Sequence, residues 1–332
     1  MNKPDEGHIL TDKELAKLEK RISSVYGEAA KELQKTIDAY FAQFEKRDAE
    51  MKDLIGTVVN GKEWTERDYK QWRLVQIGRG KRFEALRDKV AEQMTKANEV
   101  AVSYVNDATP GIYSLNRNYS AYTIEQVAGN VGFTLWDEQT VKQLIVEQPD
   151  LMPYYPAKKA VNRGIDLAYG KKQITASVTS GILQGKSIKG LSADLQTRIP
   201  TMNRGSAIRT ARTAVTGAQN AGRIDSYTAA QKMGIKLQKE WLATLDGRTR
   251  HSHAMLDGEK VDNDKKFSNG CRFPGDPQGR PEEVYNCRCT LIASLPDVDT
   301  SDALRRDRYG VLPDMTFAQW EKQKRGEGYL QR

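Results

Sequence analysis

Three cysteines and three histidines occur in 332 residues, and five of those six side chains fall between Arg248 and Cys289. Cys271, Cys287, Cys289, His251 and His253 lie in that stretch, and only His8 lies outside it. Three chemistries suit such a gathering. Thiolates and imidazoles hold zinc. A cysteine beside a histidine makes a nucleophile when the two meet in space and a third group orients the ring. A histidine among carboxylates serves a metal-dependent nuclease, and Asp246, Asp257, Asp262 and Asp264 are near in sequence. The competing reading is structural. In "DGEKVDND" the carboxylates read as turn formers, His253, Asp246 and Thr249 hydrogen-bond turns, and two thiols pack as small apolar groups. Spacing favours the structural reading. Cys-x-Cys and His-x-His on extended strands separate their ligands by about 6–7 Å along the backbone, a less natural metal arrangement than a turn-borne Cys-x-x-Cys.

The elements that must hold this stretch are legible. Ile235, Leu237, Trp241, Ala243 and Leu245 take alternate positions, as on a half-buried strand. Asp-Gly pairs at 246–247 and at Asp257–Gly258 signal turns, and "PGDPQGRP" reads as a tight polar loop. In "CRCTLIASL", Cys287, Cys289, Leu291, Ala293 and Leu295 share one face, with Arg288 and Thr290 on the other. Upstream, "RGSAIRTARTAVTGAQNAGRIDSYTAA" reads as a helix capped by Ser206. Arg209, Arg212, Thr216, Asn220 and Arg223 form one polar stripe, and the small residues Ala211, Val215, Ala218 and Gly222 form the opposite face. Three arginines on a stripe suit phosphate or carboxylate groups. The interleaved Asn and Thr favour an internal lattice instead.

The rest of the chain is mostly helical in pattern. Residues 11–59 read as the clearest helix, with an apolar stripe from Leu15 through Leu18, Ile22, Leu33, Ile37 and Leu54 to Val58, behind a capping box of Thr11 and Glu14. A second helical region runs from about Glu63 to Asn106, broken at "GRGK" (78–81). The two form an antiparallel hairpin or dock on other subunits. Residues 107–135 show turn and strand-like signals, "WDEQTVKQLIVEQ" is helical, and three prolines in "QPDLMPYYP" break structure. Two helices follow between Ala157 and Ile199, split at "LQGKSIKGL". "GILQGKS" ends like a phosphate-binding loop, but only three residues separate Gly181 from Gly185 where four are needed. Gly185 instead ends a helix and Ser187 caps the next.

Composition sets the class. Charged residues make up 29% and hydrophobic residues 38%, with a mean hydropathy of -0.68. That suits long exposed helices. No apolar run is long enough to cross a bilayer, and "MNKPDEGHIL" lacks a secretory pattern. The net charge of +8 is uneven: about -3 over residues 1–150, about +6 over 151–200 and about +5 over 201–296. A basic middle suits nonspecific DNA contact or an acidic protein partner.

"RTART", "KEWLATLDGRTRHSHAMLDG", "FPGDP" and "NCRC" occur in this order and spacing, and together they resemble the phage Mu protein F-like family of minor head proteins, over roughly residues 200–296. The resemblance implies a non-enzymatic virion protein inside the head of a tailed double-stranded DNA phage, near the portal vertex, assembled in the host cytoplasm. Its partners would be portal and major capsid or scaffolding proteins, with nonspecific DNA contact and no membrane. A zinc-stabilised DNA-binding protein delivered with the genome is the alternative, and a metal- or thiol-dependent nuclease the third. Relatives carry Cys-x-x-Cys and a later His before the Cys-x-Cys. Here Arg250 and His253 stand at the first pair and Val284 at the later His. A zinc set would therefore be His253, Cys287 and Cys289 with Cys271 or His251. No cofactor is certain, and zinc is the one candidate. The motif residues Arg209, Arg212, Asn220, Arg223, Trp241, Asp246, Thr249, Arg250, Asp257, Gly258 and Asn286 are expected to be structural.

The expected fold is mainly α with a small α+β module near residues 235–296. The segments are an amphipathic helical arm (1–110), a mixed connector (111–156), a basic helical segment (157–199), the family domain (200–296) and a polar tail (297–332).

Overall fold

The computed structural model describes residues 5–147, 167–244, 246, 248–295, 305–307, 310–312 and 317–326. Helices dominate: α1 (Glu6–Ala42), α2 (Glu45–Asp53), α3 (Glu66–Gln76), α4 (Lys81–Ala128), α5 (Glu138–Glu147), α6 (Leu167–Leu183) and α7 (Ile188–Lys232). A hairpin of β1 (Val58–Val59) and β2 (Lys62–Glu63) interrupts them. The C-terminal part holds β3 (Gln238–Leu242), α8 (His251–Met255), β4 (Lys260–Asp262), α9 (Pro281–Val284) and β5 (Thr290–Ser294). A hairpin of β6 (Arg305–Asp307) and β7 (Gly310–Leu312) and a last helix α10 (Phe317–Gly326) follow. The architecture is mainly α with a small antiparallel sheet of order β4-β3-β5, as the sequence indicated.

The chain divides into two compact units. One takes Met1–Glu19, Tyr104–Lys158 and Arg209–Arg332, the other Lys20–Ser103 and Lys159–Ile208. In the second unit the stripe of α1 is sealed by the chain's own helices. Ile22, Leu33 and Ile37 are fully buried, as are Val90 of α4 and Ile182 of α6. Each such side chain contributes about 1.5–3 kcal/mol when buried, so the stripe is used within the chain and the hairpin alternative is the one realised. Tyr26 donates to Asn98 across it at 2.7 Å. A buried ion pair joins Arg73 of α3 to Asp48 of α2 at 2.9 Å.

Several local expectations are corrected. Helix α1 begins five residues before Thr11. Asp5 caps it, accepting from the His8 amide at 3.0 Å, while the Thr11 hydroxyl donates back to the Gly7 carbonyl. Residues 107–128, read as turn and strand, continue α4 straight through Pro110. Proline has no amide to give the Asn106 carbonyl, and the Thr109 hydroxyl donates to that carbonyl at 3.3 Å instead. Ser206 lies inside α7 and caps nothing. The break at "GRGK" and the split at "LQGKSIKGL" stand where expected, between α3 and α4 and between α6 and α7. Gly185 takes φ +76° in that turn, and the Gly190 amide donates to Ser187 Oγ at 3.1 Å. "QPDLMPYYP" lies outside the described residues.

Within the first unit α7 and α4 touch backbone to backbone at Gly222. A Cβ there would sit 2.4 Å from the Tyr113 carbonyl oxygen and 3.1 Å from the Arg117 amide nitrogen. At Gly205 on the same helix a Cβ would meet nothing within 4 Å. Replacing a mid-helix glycine by alanine gains about 1 kcal/mol of propensity, whereas forcing a methyl into a packed contact costs about 1–3 kcal/mol or more. Urea unfolding should therefore show opposite signs: Gly205→Ala stabilises by about 0.5–1 kcal/mol, and Gly222→Ala destabilises by about 2 kcal/mol.

Candidate functional site

The polar stripe of α7 reads the backbone of the Cys-x-Cys segment as a neighbouring strand would. Thr213 Oγ1 accepts from the Asn286 amide at 2.9 Å. The Thr216 hydroxyl donates to the Cys287 carbonyl at 2.7 Å. Asn220 Oδ1 accepts from the Leu291 amide at 3.0 Å, and its Nδ2 donates to the carbonyls of Thr216, Pro274 and Cys289 at 3.0–3.2 Å. Arg223 donates to the Leu291 carbonyl at 2.7 Å. Residues 213, 216, 220 and 223 recur every three or four positions and so share one helix face. The open edge of the segment 286–291, at the start of β5 and on the side away from β3, is thereby satisfied at these groups.

The arginines do not act together. Arg223 is buried and grips Asp5 with two bonds of 2.7 and 2.9 Å. Burial works to raise the Asp5 carboxyl, and the Arg223 guanidinium outweighs it and holds the group below its ordinary value. Arg212 pairs with Glu19 at 2.5 Å, while Arg209 is exposed. A shared phosphate clamp on this stripe is therefore not formed, and the internal lattice is.

The motif loops close on the same helix. Gly275 of "FPGDP" takes φ +81°, and a Cβ there would lie 2.8 Å from the Gly217 amide nitrogen. Asp276 is buried and accepts from the amides of Arg272 and Gln278 and from the Arg272 side chain. Asp257 accepts from the Ala243 amide at 2.8 Å, and Gly258, at φ +78°, donates to the Trp241 carbonyl. Asp246 forms a two-bonded ion pair with Arg288 that holds its carboxyl far below the usual range. Thr249 donates to the Thr244 carbonyl. Asn286 adopts φ +58°, the left-handed bend that starts the Cys-x-Cys.

Two thiols and one imidazole meet inside this frame. His253 Nδ1 lies 3.6 Å from Cys287 Sγ and 3.4 Å from Cys289 Sγ. The Cys287 thiol donates to the Cys289 sulfur, which pulls Cys289 well below the ordinary thiol range, with His253 adding to the effect. The same bond, together with burial, holds Cys287 up. Trp241 packs edge-on to the His253 ring at 5.3 Å. Arg250 donates to the Tyr285 carbonyl, and its charge favours the Cys287 thiolate.

Cys271 and His251 lie outside the trio of His253, Cys287 and Cys289 whose ligand atoms converge. His251 is exposed. Cys271 is buried against Gly279, and burial pushes its thiol up to about 11. Thr290, expected to face away, is buried and accepts from Gln219 at 3.0 Å.

Sequence reasoning missed two buried charged groups here. Glu283 Oε2 lies 3.1 Å from His253 Nε2, at ion-pair distance but off the hydrogen-bond line, and accepts from Ser252 and Asn269. In the sequence it looks like a surface helix residue. Lys239 takes a buried odd position of β3 and donates to the Asn263 carbonyl, and burial lowers it to about 8. The alternation that flagged Trp241 covers Lys239 equally.

Cys289, His253 and Glu283 are the residue types of a nucleophile, base and orienter, but His253 Nε2 makes no hydrogen bond to Glu283. Their relative exposures are 3%, 2% and 7%. A nucleophile must be reached by its substrate, so the arrangement as it stands is a sealed knot and not a catalytic face.

Asn220→Ala tests the frame. The change strands the Leu291 amide and the Cys289 carbonyl, and each buried unsatisfied group costs about 1–3 kcal/mol. Chemical denaturation should show a loss of about 3 kcal/mol, with Thr216→Ala losing about 1 kcal/mol.

Residues 172–292 match the family described as phage Mu protein F like protein. Minor head protein GP7 of Bacillus phage SPP1 is 27% identical over 326 residues, 95% of each chain. An NAD(+)--arginine ADP-ribosyltransferase, EFV of Enterococcus faecalis, is 28% identical over 60% of this chain, which spans 42% of that protein. YqbB of Bacillus subtilis, an uncharacterized protein, is 31% identical over 46% of this chain and 56% of its own length. No solved structure matches. The matched span contains the α7 stripe, most of the three-stranded sheet and the thiol–imidazole knot, and over that span the chain is similar to the phage Mu protein F-like family.

Proposed function

We propose that this chain is a minor head protein of a tailed double-stranded DNA phage, acting in head assembly beside the portal. The observation that carries the reading is the similarity to GP7, a minor head protein, along 95% of both chains. The sealed knot agrees with a structural role. EFV's ADP-ribosyltransferase name belongs to a protein of which this chain spans less than half. DNA contact, where it occurs, is nonspecific and falls to the exposed Arg198, Arg204 and Arg209, since Arg212 and Arg223 are held by carboxylates. Co-expression of the full chain with the portal protein of the same phage tests the reading. The two should co-migrate as one oligomer through size exclusion at moderate salt, and separate elution at every salt concentration would sink the portal assignment.

The knot works as a metal-free packing device in this reading. Its donor set, His253, Cys287 and Cys289, is one ligand short of a closed structural zinc site. Arg250 stands beside the thiols where relatives carry a cysteine. A specific observation favours zinc as the second reading: sulfur–nitrogen distances of 3.4 and 3.6 Å match the edge of about 3.5 Å of a tetrahedron with ordinary Zn–S and Zn–N bonds. His253 would hold such an ion through Nδ1, with Glu283 behind the ring. Replacing both cysteines by alanine should lower stability by about 2 kcal/mol with no metal lost. About one equivalent of zinc in the purified protein, with a chelator lowering its melting temperature, would overturn the metal-free reading.

A further inference from the structure

The last helix, α10, lies outside the matched family span. Phe317, Trp320 and Lys324, at positions i, i+3 and i+7, form its buried face. The Phe317 ring meets Tyr119 at 5.3 Å and Tyr122 at 5.6 Å, and Trp320 meets Tyr122 at 5.9 Å. Beneath them Glu125 of α4 has no exposed surface. Its carboxylate accepts from Trp320 Nε1 at 2.6 Å, from Lys324 Nζ at 3.3 Å and from the Phe133 amide at 3.0 Å. Lys324 also donates to Asn130 at 3.1 Å. Among the described residues, two donors to this buried carboxylate, and the ion pair that offsets its charge, come from this one helix.

We propose that α10 is a reversible latch. It folds when it docks on the seat formed by Tyr119, Tyr122, Glu125 and Asn130, and its docking sets the order of the segment 129–136. A helix of 10 residues is below the about 12–15 residues needed for marginal stability alone in water, so folding and docking are one event. The seat is built before the latch arrives, because Tyr119 and Glu125 belong to the long helix α4 and the Tyr119 hydroxyl already accepts from the Glu6 amide. The segment 129–136 depends on the latch through Glu125, which holds the Phe133 amide, and through Asn130. Arg117 and Asn118 pin its far end at Thr134 and Trp136 and stay with α4. Release would uncover two tyrosines and a carboxylate, a surface shaped for a helix presenting two aromatic residues and a cation at this spacing. The occupant is the chain's own α10.

Hydrogen exchange on the full-length protein tests the latch. In Trp320→Ala, exchange in α10 should approach the unfolded rate and exchange at 129–136 should rise about tenfold or more, while α7 keeps its protection. Lys324→Met should give the same pattern in weaker form. A synthetic peptide of residues 313–328 added to the Trp320→Ala protein should restore protection at 129–136, and the same peptide carrying Trp320→Ala should not. Unchanged exchange at 129–136, a wild-type peptide without effect, or loss of protection throughout α7 would each overturn the proposal, the last because α10 would then be core and not latch.

Discussion

The structure of the matched region depends on one substitution of partners: a helix side-chain stripe takes the place of a strand. Without Thr213, Thr216, Asn220 and Arg223 the segment 286–291 would bury unpaired amides and carbonyls along one edge. Such groups are costly away from water. With them in place the Cys-x-Cys segment is fixed in register against both α7 and β3. Close approach is what makes this possible, and glycine supplies it. Gly217 receives the Gly275 turn and Gly222 receives α4. The "TGAQNAGR" run is therefore a single device, with hydrogen-bonding groups on one face and bare backbone beside them.

A second layer of buried polar groups extends from the stripe toward the chain's beginning. Arg223 joins Asp5, Asn116 and the Leu291 carbonyl, and Asn116 also donates to Thr11. A buried charge is tolerated only when it is paired and its remaining donors are used. Arg223 meets that condition with a two-bonded carboxylate. The same logic recurs at Glu125, where an indole and an ammonium from α10 converge on one carboxylate. These networks link segments far apart in sequence, so segments outside the family span share in the same unit's stability.

The knot of Cys287, Cys289 and His253 shows how burial decides between chemistries that share geometry. Two sulfurs and a ring nitrogen at 3.4–3.6 Å suit a hydrogen-bonded packing cluster and a metal site alike. A carboxylate behind the ring suits a metal's outer sphere and a catalytic relay alike. Exclusion of solvent removes the relay, because no substrate reaches the sulfur. The other two share this geometry: three converging donors are one short of a closed structural zinc site, and the Arg250 charge favours the Cys287 thiolate that either arrangement would use.

The sequence alone determined the helical class, the β3 alternation and the resemblance to the family, because those rest on periodicity and on a motif whose spacing survives in one dimension. The apolar stripe of α1, the turns at Gly185 and Gly258 and the polar stripe of α7 were legible for the same reason. Tertiary structure decided what local patterns leave open. Pro110 does not end α4, because a neighbouring hydroxyl satisfies the carbonyl that proline cannot. Thr290 is buried, because α7 covers the face that alternation assigned to solvent. Glu283 and Lys239 are interior charges whose partners lie on other elements, and only the folded chain brings those partners within reach. Cys271 and His251 fall away from the cluster for the converse reason: nearness in sequence does not fix direction, and a packed core points one thiol at Gly279 and leaves one imidazole in water.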